Sequence, residues 1–296
     1  MFHTVAKRGL LVGSSRPASL SPSVRFLSQA SASSPVATLT RSSELEGLSY
    51  LELNRPQAKN ALSVELVDRM RQLVEDVRFD GWTRALILHS SVPGSFCAGA
   101  DLKERKGMQP LEVARFLYNL RRLLNEIESL PLPTIAAVDG PALGGGLELA
   151  LSCDLRVAGS SVSKIGLPET RLAIIPGAGG TQRLSRLVGA SRAKDLIFSA
   201  RVMPANEALE RGLVNYVSGP GQAATQKAEE VVKEMLQAGP LALRAAKTAI
   251  DIGEEVDLES GLDVERLAYQ TLLNTEDRLE GLKAFAEKRK PVYKGR

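Results

Sequence analysis

Two strongly apolar segments with a long amphipathic segment between them limit the folds that this chain can adopt. The segments "RALILHS" and "TIAAVDG" are typical of buried strands. Between them, the spacing predicts a helix that begins at Pro110. Its apolar residues recur at helical spacing: Val113, Phe116, Leu117, Leu120, Leu124 and Ile127. A helix between two buried strands indicates a β/α crossover unit, so the sequence predicts an α/β fold.

The remaining sequence extends this pattern and then becomes mostly helical. "LSYLELN" alternates like a half-buried strand, and Ser63 precedes a predicted helix. The apolar residues of that helix are Leu66, Val67, Met70, Leu73, Val74 and Val77. After Pro204 we expect helices near 222–238, 240–252, 257–274 and 276–289. The sequence therefore predicts an α/β core over 44–200 and a mainly helical region over 201–296.

Residues 1–43 have a different composition from the rest of the chain. They contain five basic residues, eleven serines and no acidic residue before Glu44. This composition favours a mitochondrial transit peptide over the alternative, an ordinary disordered tail, and "RFLSQAS" is a candidate cleavage region. The whole chain carries +4, so the part after residue 43 has a net charge of about −1. The basic character of the chain is therefore no indication of nucleic-acid binding.

Cysteine and histidine are too scarce for several kinds of chemistry. Cys97 and Cys153 form no CxxC pair, and the two histidines are His3 and His89. These counts exclude a His-rich metal site, and we interpret His89 as the end of a strand. Acid–base catalysis would then depend on carboxylates. No apolar run reaches the ~18 residues of a membrane-spanning helix.

Three consecutive glycines precede a helical, apolar segment in "PALGGGLELALSCDLRVA". Glycine lets the backbone approach a ligand closely, and the first turn of a helix has unpaired N–H donors. The stretch is therefore a candidate site where amides face an oxygen that becomes negative, with Glu148 in the same turn. The alternative is structural, because glycines also allow tight packing and an acid in the first turn is stabilised by the helix dipole. The chain contains no GxGxxG or GxxxxGK[ST] motif that would indicate a nucleotide site.

Two further stretches strengthen the functional interpretation. "SFCAGADLKER" follows a predicted strand with a turn of small residues, and "IGLPETRLAIIPGAGGTQRL" places Glu169 before a glycine-rich loop. With "LNRPQAKNAL", "ALGGGLELALSCD" and "DRLEGLKAFAEKRKPVYKG", these motifs resemble the enoyl-CoA hydratase/isomerase (crotonase) superfamily over essentially everything after residue 45. The resemblance implies a crotonase fold, a spiral of β-β-α units with a C-terminal helical oligomerisation region.

The resemblance also implies roles for particular residues. The backbone amides of Ala100 and Gly145 would hold the thioester oxygen and stabilise the enolate that forms there. Glu148 and Glu169 would hold one water between them: Glu148 takes its proton as the oxygen adds to C3, and Glu169 gives a proton to C2. Isomerases of the family commonly lack one of these acids, so the presence of both favours hydration.

Coenzyme A would bind near "RPQAKNAL" and "ADLK". Lys103 and Lys59 are candidates for contacts with its phosphates or adenine, and Asp101 is either a contact or a helix cap. The other candidate substrate contacts are Ala98, Leu102 and Gly144. Because coenzyme A is part of the substrate, we expect no separate cofactor and no metal.

Within the superfamily, four stretches are most similar to the branch that hydrates 3-methylglutaconyl-CoA in leucine breakdown: "VPGSFCAGADLKER", "PETRLAIIPG", "LIFSARV" and "DRLEGLKAFAEKR". The alternatives are a short-chain enoyl-CoA hydratase of β-oxidation and an RNA-binding or purely structural homologue. The resemblance implies a mitochondrial matrix enzyme that assembles as a trimer or a dimer of trimers. RNA binding is not expected, because Val64, Asp68 and Gln72 replace the lysines that RNA-binding relatives carry on the corresponding helix.

Overall fold

The structure is a computed structural model, and it describes residues 34–296. Nine strands lie in this part of the chain: β1 (Ala37–Arg41), β2 (Leu48–Leu53), β3 (Ala85–Ser90), β4 (Thr134–Val138), β5 (Ala142–Leu143), β6 (Leu155–Ala158), β7 (Ile165–Gly166), β8 (Val202–Met203) and β9 (Tyr216–Val217). Eleven α-helices lie in the same residues: α1 (Val64–Phe79), α2 (Leu102–Lys106), α3 (Pro110–Glu128), α4 (Gly145–Leu151), α5 (Gly180–Val188), α6 (Ala190–Phe198), α7 (Ala205–Glu210), α8 (Ala224–Met235), α9 (Pro240–Gly253), α10 (Leu258–Gln270) and α11 (Glu276–Ala286).

Two sheets form the centre of the fold. The larger has the order β1-β2-β3-β4-β6-β9, and the smaller has the order β5-β7-β8. In the larger sheet β1 runs antiparallel to β2, and the other neighbours are parallel. The strands predicted from "LSYLELN", "RALILHS" and "TIAAVDG" are β2, β3 and β4, and α3 forms the predicted crossover between β3 and β4. The α/β architecture expected from the sequence is therefore present.

The amphipathic helices bury the faces that their sequence periodicity predicts. Ser63 accepts a hydrogen bond from the Leu66 N–H and caps α1. All six predicted apolar residues of α1 are buried. In α3 the buried residues are Phe116, Leu120, Leu123, Leu124 and Ile127. Leu123 was not expected among them, and Val113 and Leu117 are only partly buried.

The sequence-based boundary of the N-terminal segment was wrong. Ala37–Arg41 lie inside the predicted leader 1–43, yet they pair with β2 from Ala37 opposite Leu53 to Arg41 opposite Ser49. The folded domain thus includes residues before 43. Residues 1–33, which carry most of the transit-peptide signal, lie outside the described residues, and the transit peptide stays a prediction.

The boundary predicted at residue 200 also differs from the structure. β9 extends the main sheet beside β6, and α8 covers one face of that sheet. The buried contacts of α8 come from Ala224, Ala228, Val231 and Val232, which pack with Leu48, Ile87, Ile135 and Val157 of the strands. The α/β core therefore continues to α8. The sequence signal missed this because β9 has two residues, too few for a recognisable period.

The four helices predicted after Pro204 correspond to α8, α9, α10 and α11. α9 and α10 pack against each other but contain no buried residue. Across residues 34–296, no helix is both long enough and apolar enough to span a membrane.

Candidate active site

A turn after β3 and the start of α4 lie side by side. The Leu62 N–H donates to the Gly99 carbonyl over 2.7 Å, and the Asp101 N–H donates to the Leu62 carbonyl over 3.1 Å. Cys97 forms an isolated bridge to Ala142, immediately before α4. The two Leu62 bonds hold residues 99–101 against Leu62. The bridge to Ala142, with the Leu143 N–H donating to the Cys97 carbonyl at 3.2 Å, holds Cys97 against residues 142–143.

Two backbone N–H groups are left free at this junction. Ala100 and Gly145 each have a described N–H that donates to no acceptor within residues 34–296. A Cβ placed on Gly145 would lie 3.5 Å from the Ala100 nitrogen, so the two amides are neighbours. Free, fixed N–H donors in such a pair can stabilise an oxygen that gains negative charge.

The three glycines of "GGG" face three different surroundings. A Cβ on Gly144 would lie 3.1 Å from Oε1 of Glu169, and Gly144 has φ of +53°, a conformation that favours glycine. A Cβ on Gly145 would lie 3.1 Å from Cδ1 of Leu62, beside the Ala100 amide. A Cβ on Gly146 would overlap the carbonyl oxygen of Cys97. Of the three, only Gly146 is packed against a backbone atom so closely that a Cβ would overlap it.

Glu148 lies in the first turn of α4 and is only 3% exposed. Its Oε1 accepts hydrogen bonds from the Ala178 N–H at 2.8 Å and from the Gly180 N–H at 2.7 Å. Burial raises the pKa of Glu148, while these two amides and the charges of Arg183 and Arg121 oppose the rise. The side chain is thus a buried carboxylate with fixed orientation.

Glu169 begins the 3₁₀ turn Glu169–Leu172 that follows β7. Its Oε2 is buried and accepts no hydrogen bond from the described residues. Burial raises the pKa of Glu169 to about 7, and the negative charge of Glu148 adds to the rise. A carboxyl group with this pKa can hold a proton near neutral pH and release it during a reaction.

The structure thus brings together the four residues predicted to carry the chemistry, namely Ala100, Gly145, Glu148 and Glu169. It also shows two partners that the sequence analysis missed, the amides of Ala178 and Gly180. The glycine-rich "PGAGG" after Glu169 could have indicated close backbone contacts. That motif does not show that Glu148 would be the acceptor.

The residues predicted to contact coenzyme A occupy varied positions. Ala98, Leu102, Lys103 and Lys59 are exposed, whereas Gly144 is buried beside Glu169. Lys59 ends the 3₁₀ turn Pro56–Ala58 with φ of +49°.

Asp101 has structural partners for its carboxylate. It caps α2 by accepting from the N–H groups of Lys103 and Glu104, and it accepts from Arg55 Nη1 at 2.7 Å. Burial opposes ionisation, but these hydrogen bonds hold the pKa of Asp101 below its usual value. The helix cap considered in the sequence analysis is therefore present.

The backbone of Cys97 lies beside Gly146, but its thiol donates to the Asn60 carbonyl at 3.0 Å. Burial raises the pKa of both Cys97 and Cys153 to about 12, so neither thiol is prepared as a nucleophile. His89 is the penultimate residue of β3 and contacts the Tyr50 ring edge-on at 5.7 Å between centroids. Within residues 34–296, no three His, Cys, Asp or Glu side chains are grouped as metal ligands.

Comparison with known proteins gives consistent matches. Residues 43–296 match the family described as enoyl-CoA hydratase/isomerase. "Methylglutaconyl-CoA hydratase, mitochondrial" from Homo sapiens is 53% identical over 255 residues, which are 85% of this chain and 75% of the human protein. "Probable enoyl-CoA hydratase 2, mitochondrial" from Arabidopsis thaliana is 53% identical over 249 residues, 84% of this chain and 82% of the plant protein. A crystal structure of enoyl-CoA hydratase from Bacillus anthracis superposes with a TM-score of 0.85 at 45% identity and covers 88% of this chain and 100% of the bacterial one.

Proposed function

The chain belongs to the enoyl-CoA hydratase/isomerase family, and from this premise we propose that it is a lyase that adds water across the C2=C3 bond of 3-methylglutaconyl-CoA. The observation that carries the proposal is a pair of carboxyl groups with different surroundings, one on the buried Glu148 and one on the half-buried Glu169. Glu148 has two fixed N–H donors on one oxygen, whereas Glu169 has a free oxygen and a pKa raised to about 7. Such a pair suits opposite roles in proton transfer.

In the proposed reaction, ionised Glu148 accepts a proton from the water that it shares with Glu169. The water oxygen bonds to C3, and the π electrons of the double bond move toward the thioester oxygen. Protonated Glu169 then gives its proton to C2 as the carbonyl re-forms. Glu148 ends protonated and Glu169 ionised, and exchange of one proton between them restores the pair.

The negative charge of the enolate would be stabilised by the N–H groups of Ala100 and Gly145. Both amides are free of other acceptors among residues 34–296, so they need no rearrangement when charge develops. Their side chains do not take part, which accounts for small residues at both positions.

For coenzyme A we propose contacts with Lys103 and Lys59 through their exposed ammonium groups, with Ala98 and Leu102, and with the backbone of Gly144. Asp101 would act indirectly, because its carboxylate already holds α2 and Arg55 in place. No cofactor beyond the substrate's own coenzyme A is needed for this chemistry.

The choice of 3-methylglutaconyl-CoA rests on the relatives named for that activity, such as the human protein at 53% identity. The Arabidopsis relative, equally similar at 53% identity, favours a second candidate, hydration of a short-chain enoyl-CoA. Steady-state hydration of 3-methylglutaconyl-CoA, crotonyl-CoA and 3-methylcrotonyl-CoA separates the two. We expect the highest kcat/KM for 3-methylglutaconyl-CoA. A preference for crotonyl-CoA would support the second candidate, and no hydration of any ester would refute both.

We also propose that the protein works in the mitochondrial matrix, given the composition of residues 1–43 and the mitochondrial relatives. A fusion of residues 1–43 to a fluorescent reporter should then enter mitochondria and become protected from added protease. A diffuse cytosolic signal would contradict this location.

Self-association as a trimer or a dimer of trimers is supported by the apolar surface of the last three helices. Large apolar side chains with more than half of their area exposed lie on them: Ile250, Leu258, Leu262, Leu267, Tyr269, Leu279, Leu282 and Phe285. A surface of this kind is typical of an interface. Sedimentation equilibrium should give three or six times the mass of one chain, and a monomer at micromolar concentration would contradict the proposal.

A further inference from the structure

One peptide group connects an arginine to the proposed catalytic base. The Gly177 carbonyl accepts a hydrogen bond from Arg121 Nε at 2.8 Å. The Ala178 N–H donates to Glu148 Oε1 at 2.8 Å. Because the carbonyl of residue 177 and the N–H of residue 178 belong to the same planar peptide, Arg121 and Glu148 hold its two ends.

A cation at the carbonyl end strengthens the N–H at the other end. A charge-assisted hydrogen bond draws electron density toward the carbonyl oxygen, and the delocalised peptide passes that polarisation to its N–H. The polarised N–H then stabilises a negative carboxylate better than an ordinary amide does. The effect is largest where water is excluded, as it is around Glu148, which is 3% exposed.

A second arginine, Arg183, donates to the carbonyl of the next residue, Ala178. Unlike Arg121, it also forms a salt bridge. Arg183 Nη1 donates to the Ala178 carbonyl at 3.2 Å, and its Nη2 lies 2.6 Å from Glu128 Oε2. Its charge is thus paired with Glu128. Arg121, on the exposed side of α3, forms no salt bridge within the described part of the chain.

We propose that Arg121 is a positioning residue for Glu148: through the Gly177–Ala178 peptide it fixes the orientation of the carboxylate and favours its ionised form. This inference rests on the role given to Glu148 in the proposed function. It adds a residue that touches neither the substrate nor the reacting water in that proposal.

The other charged groups near Glu148 agree with this assignment. Glu169 lies in the turn after β7. The negative charge of Glu148 adds to the rise in the pKa of Glu169 that burial causes. Arg183 on α5 and Arg121 on α3 both lower the pKa of Glu148 against the effect of burial. Removing Arg121 therefore removes one of the two positive charges that favour ionised Glu148.

The test replaces Arg121 and uses its sequence neighbour as a matched control. Arg121→Met removes the donor and the charge but keeps a long side chain. Arg122→Met changes the adjacent arginine of α3, whose exposed side chain pairs with Glu126. We expect Arg121→Met to lower kcat at pH 7 about 10-fold, the loss of one charge-assisted hydrogen bond, with little change in KM. Arg122→Met should behave like the unaltered protein.

The pH profile of kcat gives the readout that a purely structural role would not change. Glu148 must be ionised to act, so a higher pKa moves the acid limb of the profile to higher pH. We expect this shift in Arg121→Met, partial recovery as the pH rises, and partial rescue by Arg121→Lys. If Arg121→Met melts at a much lower temperature, Arg121→Lys and Arg121→Gln are compared instead. Both keep a hydrogen-bond donor but only lysine keeps the charge, so only Arg121→Gln should shift the acid limb.

An unmoved acid limb in Arg121→Met, or a loss expressed in KM alone, would overturn the proposal. Glu148→Gln, assayed in parallel on the same enoyl-CoA esters, separates this failure from a failure of the proposed function. If Glu148→Gln is inactive while Arg121→Met is unchanged, only the role of Arg121 is refuted. If Glu148→Gln keeps its turnover, the proposed base and the inference built on it are both refuted.

Discussion

Gly144 lies directly against the carboxylate of Glu169, since a Cβ on Gly144 would be 3.1 Å from Oε1. Gly144 precedes α4 with φ of +53° and ψ of −125°, and its N–H donates to the Gly166 carbonyl at 2.9 Å. The glycine therefore serves two needs, a backbone conformation unsuited to other residues and space for an acid on the neighbouring turn. The position of Glu169 depends on both.

We expect Gly144→Ala to reduce turnover by roughly 10²-fold, because the added methyl group displaces Glu169 from the position in which it can donate a proton. The strained backbone should also cost about 1–3 kcal/mol of stability. Steady-state kinetics and thermal unfolding of the same preparation measure the two effects. Gly94→Ala is a control for backbone strain alone, since Gly94 has φ of +66° with nothing within 4 Å of the added Cβ. Equal losses of turnover in the two variants would contradict a specific effect on Glu169.

Replacing either of the two carboxyl groups proposed to be catalytic by its amide should remove one proton transfer while leaving the shape of the site nearly unchanged. Glu148→Gln and Glu169→Gln should each lower kcat by roughly 10²–10⁴-fold with little change in acyl-CoA affinity. Rapid kinetics and binding of a non-reactive acyl-CoA measure these quantities separately. Near-normal turnover of either variant on every ester tested would show that its residue has been given the wrong role.

The parts of this structure that the sequence predicted are those that depend on nearby residues. The buried face of α1 follows from a period of 3.6 residues, and Ser63 caps the helix three residues before Leu66. The start of the domain was misplaced because Arg41, Ser42 and Ser43 share the basic, serine-rich composition of the residues before them. β1 is recognised only by its pairing with β2.

In the candidate site too, the features set by nearby residues could be predicted, and the contacts between distant segments could not. Glu148 was identified from its motif, but its hydrogen-bond donors lie 30 and 32 residues further along the chain. Arg121 is one of several arginines on an amphipathic helix, and no local pattern distinguishes it. Its contact with the Gly177 carbonyl, on which the proposed role rests, forms only when α3 and the loop before α5 come together in the fold.

The raised pKa of Glu169 also predicts a dependence of stability on pH. The pKa is about 7 in the folded protein against an ordinary value of 4.5, so the folded state binds this proton more tightly than the unfolded state. The stabilisation is present below about pH 4.5 and is lost as the pH rises to about 7. Glu169→Gln cannot ionise, so its Tm should exceed that of the unaltered protein by more at pH 8 than at pH 5. Glu65→Gln, on the exposed side of α1, is the control. The same Tm difference at both pH values would argue against a raised pKa of Glu169 in the folded protein.

RNA binding by α1 should be weak and strongly dependent on salt. Val64, Asp68 and Gln72 are exposed on this helix and supply no positive charge, and the chain after residue 43 has a net charge of about −1. Filter binding of a labelled single-stranded RNA by residues 35–296 should therefore show no saturation below micromolar concentration at physiological salt. Tight, sequence-selective binding would contradict this expectation and support the alternative that the protein is an RNA-binding homologue.

Gly145 and Gly146 are neighbours in one triplet, but we expect the absence of a side chain to serve a different purpose at each. If the Gly145 N–H holds the thioester oxygen, a side chain at this position disturbs the donor or the substrate, and Leu62 Cδ1, 3.1 Å from the added Cβ, can move aside at the end of a flexible side chain. Gly145→Val should therefore remain folded while turnover falls by about 10²-fold or more, the size of effect seen when one oxyanion donor is lost. Gly146→Ala is the matched contrast, because its Cβ would overlap the carbonyl of Cys97, and a backbone atom cannot move aside so easily. We expect Gly146→Ala to lose thermal stability first, and activity only as a consequence. If Gly145→Val loses stability in step with activity, or stays fully active, then Gly145 serves packing as Gly146 does, and the oxyanion role assigned to its amide is wrong.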